Sequence, residues 1–198
     1  DIQSGEMIII RGRSGSGKST LLNVLAGLTR PNAGKVEVAG ARVDTLNPAA
    51  ATAFRARHIG FVFQMFHLIP YLSLLDNILL PMLTTPDVDT LQSRARKLLT
   101  EFDLADRATH LPGELSAGER QRTAIARAIL REPELLLADE AIGNLDPVNA
   151  TTILSCLKRY HAQGKTVILV THHELAALNG VNIRELQLQD GKLIPAAS

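Results

Sequence analysis

Four short apolar runs punctuate the chain: MIII at 7–10, IGFVF at 59–63, ELLLAD at 134–139 and TVILVT at 166–171. Each is nearly continuous rather than alternating. Strands buried on both faces read this way, and they belong to parallel sheets covered by helices on either side. Helical patterns fill the intervals. Leu21, Leu22, Val24, Leu25 and Leu28 recur at helical spacing, and Pro31 is expected to stop that helix. Residues 91–101 and 148–160 also read as helices. Strands alternating with helices predict an α/β fold with a mainly parallel sheet. The stretch KVEVAGARV (35–43) alternates instead, and predicts a small antiparallel strand pair at an edge. Residues 65–131 are rich in leucine and hold no convincing strand. They predict a helical subdomain inserted into an α/β core formed by residues 1–64 and 132–198.

Composition narrows the class. A chain of 198 residues suits one such domain with an insertion. A net charge of +1 argues against a general nucleic-acid surface. The single cysteine, Cys156 in ILSCLKRY, excludes a disulfide framework and reads as core packing. No apolar run is long enough to span a membrane and no signal peptide opens the sequence, so a soluble or peripheral protein is expected.

The chemistry is concentrated in three places. GRSGSGKS (12–19) follows the first apolar run and precedes a helical pattern. Gly12, Gly17, Lys18 and Ser19 fit G-x-x-x-x-G-K-[ST], the P-loop. Its glycines let backbone N–H groups of Arg13, Ser14, Gly15 and Ser16 turn toward phosphate oxygens. The helix starting near Ser19 and Thr20 points its positive end at the same anion. Lys18 reaches the terminal phosphates, and the Ser19 hydroxyl is a Mg²⁺ ligand. This implies a nucleoside triphosphate, although kinases, GTPases and motors all share the loop. LLLADE (135–140) then puts Asp139 and Glu140 at the end of a buried strand, where α/β sheets bind ligands. Asp139 suits Mg²⁺, and Glu140 suits a general base for water. A second carboxylate there argues for hydrolysis rather than transfer to an organic acceptor.

The third place is LSAGERQR (115–122), which resembles LSGGQ, the signature of ATP-binding cassette (ABC) ATPases. The P-loop, this stretch and the acidic pair stand in that family's order. Gln64, ending IGFVFQ, matches the family's Q-loop glutamine. GNLD (143–146) resembles the D-loop, with Asp146 its acid, and His172 in VTHH matches the switch histidine. The resemblance covers nearly the whole chain. It implies ATP and Mg²⁺ as cofactors, with Ser19, Gln64 and Asp139 toward the metal. Glu140, His172, Gln64 and Lys18 would be catalytic. Ser116 and Gly118, before a helix, would form a second anion site that closes on nucleotide held by another subunit. Asp146 would lie in the same composite site.

FQMFHLIPYLSLLDNILLP (63–81) resembles the corresponding region in the lipoprotein-release and macrolide-export group. There the segment receives a helix of an integral membrane permease; Phe66, Leu68, Ile69, Pro70, Tyr71 and Leu72 would form the groove. The implied location is the cytoplasmic face of the cell's inner membrane, and no nucleic-acid partner is implied. His58, His67, His110 and His161 show no metal-ligand spacing, and no metal beyond Mg²⁺ is expected. His173, Arg120 and Arg122 read as solvated loop or helix face.

Three departures qualify the resemblance. The family usually carries about two further strands before the P-loop, with an aromatic that stacks on adenine, and this sequence shows neither. DEAIGNLD stands where the family often has DEPTGNLD, so Ala141 and Ile142 predict a looser loop behind Glu140. Ala117 replaces a signature glycine. These departures keep a second reading in play: a weakly active or non-catalytic nucleotide-binding scaffold subunit. A DNA-repair ATPase of the same family is disfavoured, because no coiled-coil insertion, zinc motif or basic stripe is present.

Overall fold

The computed structural model describes residues 1–84, 88–143, 145–173 and 175–196. In chain order it contains β1 (Met7–Arg11), α1 (Lys18–Leu25), β2 (Glu37–Val38), β3 (Ala41–Arg42), α2 (Pro48–His58), β4 (Ile59–Val62) and α3 (Leu74–Leu79). There follow α4 (Val88–Glu101), α5 (Ala117–Ile129), β5 (Leu135–Asp139), α6 (Pro147–His161), β6 (Thr166–Val170), β7 (Ile183–Gln189) and β8 (Lys192–Pro195). The main sheet runs β4-β5-β6-β1-β7-β8. Its first five strands are parallel and β8 returns antiparallel.

The four apolar runs are β1, β4, β5 and β6: β5, β6 and β1 lie inside this sheet, and β4 forms one of its edges. Both faces of each are covered, which is why their sequences do not alternate. Along β1, Ile8 and Ile10 face one core with Leu22, Phe54, Leu137 and Ile168. Met7 and Ile9 face the other, with Leu136, Leu169, Ile125, Ile153 and Leu157. That second core continues into Leu74, Ile78 and Leu98 of α3 and α4, so residues 65–131 share apolar packing with the sheet. Contact is close at Gly60, where a Cβ would lie 2.6 Å from the Ala128 carbonyl oxygen of α5.

Three local expectations change. α1 stops at Leu25, before Pro31, because Gly27 takes φ +63 and ends the helix in the left-handed region. Leu28 therefore falls outside it and is 47% exposed. The strand pair within 35–43 forms, but as its own two-stranded sheet of two-residue strands, not as an edge of the main one. The main sheet's edges are β4 on one side and the β7–β8 hairpin on the other. The turn of that hairpin is Asp190-Gly191 with φ +49 and +74, two left-handed residues that match the right-handed twist of the flanking strands.

Candidate functional site

Parallel strands place their C-terminal ends on one side of a sheet. Here β4, β5, β6 and β1 are consecutive neighbours, and each carries a piece of expected chemistry at that end. Gln64 lies two residues past β4 and is exposed. Asp139 ends β5 and Glu140 follows it. His172 lies two residues past β6, and the P-loop follows β1.

The P-loop glycines serve different ends. A Cβ at Gly12 would sit 2.7 Å from the Leu188 carbonyl oxygen and 2.8 Å from Ser16 Oγ, so this glycine permits close packing against β7. Gly15 and Gly17 take φ +77 and +97, which an L side chain rarely adopts. Arg13, Ser14 and Gly15 are exposed, as are Ser19 and Thr20 at the start of α1. Lys18 is buried, and its Nζ donates to the carbonyls of Gly12 and Arg13, both at 2.9 Å. The ammonium is thus parked on the loop's own carbonyls, within the cradle.

Asp139 is 8% exposed, and its Oδ1 has no hydrogen-bond partner among the described residues. Burial pushes its carboxyl above the usual range. The neighbouring Ser19 hydroxyl and the Lys18 charge pull it partly back, while Glu140 adds to the rise. A buried carboxylate oxygen without a donor, beside a hydroxyl, fits a hard divalent cation.

Glu140 adopts φ +47, unusual for a residue with a side chain. Its N–H donates to the Val170 carbonyl at 3.0 Å, and its carbonyl accepts from Gly143 at 3.0 Å. Its Oε1 lies 3.2 Å from His172 Nδ1. Its Oε2 is buried and unpartnered among the described residues. In place of the looser loop expected, Ala141 and Ile142 are 2% and 1% exposed and join the core. Apolar burial anchors the turn that aims Glu140.

The signature and D-loop residues make their described hydrogen bonds locally, not to this cluster. Ser116 caps α5: its Oγ accepts from Glu119 N–H at 3.2 Å, and its own N–H donates to Glu119 Oε2 at 2.8 Å. The Ser116 N–H is therefore already engaged. Burial pulls the Glu119 carboxyl up, but its bonds to Ser116 and the Arg107 guanidinium outweigh this and hold it below the usual range. Gly118 packs directly under Asn149, where a Cβ would fall 2.0 Å from Oδ1. Asp146 caps α6 through the N–H groups of Val148 and Asn149, and also accepts from Asn149 Nδ2 at 2.5 Å. Arg122 donates to Asn149 Oδ1 at 3.2 Å, linking α5 to α6. No described hydrogen bond joins Ser116, Gly118 or Asp146 to the P-loop. Asn144 of the GNLD stretch lies outside the described residues.

The arginines read as solvated are instead structural. Arg120 donates to the Leu115 carbonyl at 2.9 Å and its guanidinium stacks 5.3 Å from the Phe66 ring centroid. Sequence reasoning missed Arg127, whose two N–H groups hold the carbonyls of His67 and Phe66 at 2.6 and 2.8 Å. It also missed Asn77, fully buried, which accepts from Ile69 N–H and donates to the carbonyls of Ile69, Leu72 and Ser73. These two side chains shape 65–73. Within it Tyr71 is 78% and Met65 65% exposed, while Phe66, Leu68, Ile69 and Leu72 are half-buried. Asn77→Ala is expected to cost about 2–3 kcal/mol in urea unfolding, because three part-buried carbonyls and the Ile69 N–H lose their partner. A loss under about 0.5 kcal/mol would mean that water replaces the amide. The β7–β8 hairpin was missed as well. Gln187 to Gly191 face Arg13–Ser16 across a cleft of about 550 Å³. The alternation in IRELQLQ and the Asp-Gly pair were the available signal.

Residues 1–143 match the ABC transporter family. The chain belongs to the ABC transporter family. The lipoprotein-releasing system ATP-binding protein LolD of Chromohalobacter salexigens is 43% identical over 98% of this chain and 81% of its own length. The macrolide export ATP-binding/permease protein MacB of Rhodopseudomonas palustris is 41% identical over 98% of this chain, which spans only 29% of that longer protein. Among solved structures, the ATP-binding cassette MJ0796, dimeric in a post-hydrolysis state bound to ADP and Pi, superposes with a TM-score of 0.87. It is 35% identical, and the match covers 100% of this chain and 88% of that one.

Proposed function

We propose that this ABC ATPase powers a transporter of the lipoprotein-release and macrolide-export group, as a peripheral subunit on the cytoplasmic face of a membrane permease. The chain is an ATP-binding and ATP-hydrolysing subunit that works through nucleotide-driven dimer closure. The carrying observation is the Glu140–His172 pair at 3.2 Å on the same sheet edge as the P-loop.

The chain's own residues divide the work as follows. N–H groups of residues 13–20 cradle the phosphates, and Lys18 leaves the Gly12 and Arg13 carbonyls for the terminal phosphate. Ser19, Asp139 and Gln64 would hold Mg²⁺, which supplies charge neutralisation on the phosphates. Glu140 takes the proton of the attacking water, and His172 orients that carboxylate. Ser116, Gly118 and Asp146 act in trans, which fits the lack of any described hydrogen bond from them to the P-loop of the same chain. Closure would then bury each nucleotide between one P-loop and the other subunit's α5 N-terminus. The apolar side chains of 65–72 fit a permease helix. Among the described residues no helix is long and apolar enough to cross a membrane, so a membrane-spanning partner is part of this reading.

The test is steady-state ATP hydrolysis over a range of protein concentrations. Specific activity that climbs with concentration supports a composite site shared by two chains. A rate independent of concentration sinks the in-trans role of Ser116 and Gly118. An inactive wild type that still binds ATP favours the non-catalytic scaffold reading.

A further inference from the structure

His173 has no role in the hydrolysis scheme, yet it stands beside it. On an extended strand, consecutive side chains point to opposite faces. β6 ends at Val170, and the chain bends at residues 172 and 173. The two imidazoles therefore lie on the same side, with ring centroids 4.2 Å apart. The backbone of His173 is pinned: its N–H donates to Thr171 Oγ1 at 3.1 Å, and its carbonyl accepts from Arg11 at 2.9 Å. Glu140, His172 and His173 each offer a donor atom within 4.8 Å of the others. Two donors in this group are buried and unpartnered among the described residues, Glu140 Oε2 and His173 Nε2.

We propose that Glu140, His172 and His173 form a binding site for a divalent transition-metal ion, with Zn²⁺ as its occupant. Two imidazoles and a carboxylate are a Zn²⁺ donor set, whereas Mg²⁺ prefers oxygen throughout. Zn²⁺ ligands at about 2.0–2.1 Å in a tetrahedron lie roughly 3.3 Å from one another. The Glu140 Oε1 to His172 Nδ1 separation of 3.2 Å already matches that edge. The His172 side chain is 66% exposed, so its ring can turn to close the remaining distance. The same exposure leaves the fourth position to water. An ion held there occupies the carboxylate, so Zn²⁺ would inhibit hydrolysis. That consequence rests on Glu140 being the base; the binding site does not.

The experiment is calorimetric titration of Zn²⁺ into the nucleotide-free chain, beside His173→Ala and Cys156→Ser. One site per chain is expected in the wild type and in Cys156→Ser. His173→Ala should weaken it by about tenfold or more, since even outer partners of metal ligands cost that much. Mg²⁺ should show no difference between wild type and His173→Ala. In Mg²⁺-dependent ATP hydrolysis, His173→Ala should keep the basal rate within about twofold and lose sensitivity to added Zn²⁺. Identical Zn²⁺ isotherms for wild type and His173→Ala, or no binding at all, would overturn the site. A wild type without ATPase activity would remove the hydrolysis scheme and leave the isotherms decisive.

Discussion

Glu140→Gln is expected to lower the steady-state rate of ATP hydrolysis by about 10²–10⁴-fold while ATP still binds, the range typical of a lost general base. The substitution keeps shape while removing the charge and the proton affinity of the carboxylate. The backbone at φ +47 is held by bonds that do not involve the side chain, from Glu140 N–H to Val170 and from Gly143 N–H to Glu140. Ile142, 1% exposed, continues to anchor the turn. The variant should therefore unfold like the wild type, and under the proposed closure cycle an ATP-bound dimer should accumulate. Single-turnover kinetics and size-exclusion chromatography with ATP report the two effects. Retention of more than a tenth of the wild-type rate would assign the base elsewhere.

Asp139→Asn should separate stability from activity. Burial raises the Asp139 carboxyl above the value it has in an unfolded chain, so the native state binds the extra proton more tightly. Its contribution to stability is then fully present below the unfolded value and is lost as pH rises through the folded one. At neutral pH, above the unfolded value, a titratable charge at this buried position costs the nucleotide-free protein stability. Asn removes that charge, so Tm at pH 7 should rise. The gain should shrink toward acid pH, where wild-type Asp139 is itself neutral. Activity should move oppositely, falling about 10²-fold or more, because the proposed metal loses its only buried carboxylate and metal charge stabilisation amounts to several kcal/mol. Thermal melts from pH 4 to 8 and Mg²⁺-dependent rates test both halves. A Tm that falls at neutral pH would mean that the Lys18 charge outweighs burial.

A continuous apolar run needs no partner to declare itself. MIII, IGFVF, ELLLAD and TVILVT announce buried parallel strands because covering both faces leaves no polar position. The P-loop is equally local, a strand-turn-helix whose glycines and lysine lie within eight residues. These determine the α/β class and the phosphate chemistry. The sequence also states the order of Gln64, Ser116, Glu140, Asp146 and His172, but not their company. Only the strand order decided that Glu140 and His172, 32 residues apart, meet. Among the described residues, Ser116 and Asp146 bond to their own helix starts and make no hydrogen bond to the P-loop. Gly12 read as a phosphate-facing glycine, yet its need for hydrogen comes from the Leu188 carbonyl, far along the chain. Asn77 and Arg127 looked like ordinary helix residues because their partners are backbone carbonyls in a loop. His172 and His173 would diverge on a regular strand, and the bend after β6 brings their rings together. Periodicity records which face of an element is buried. It does not record which element lies across the gap, because that depends on packing and loop closure between segments distant in sequence.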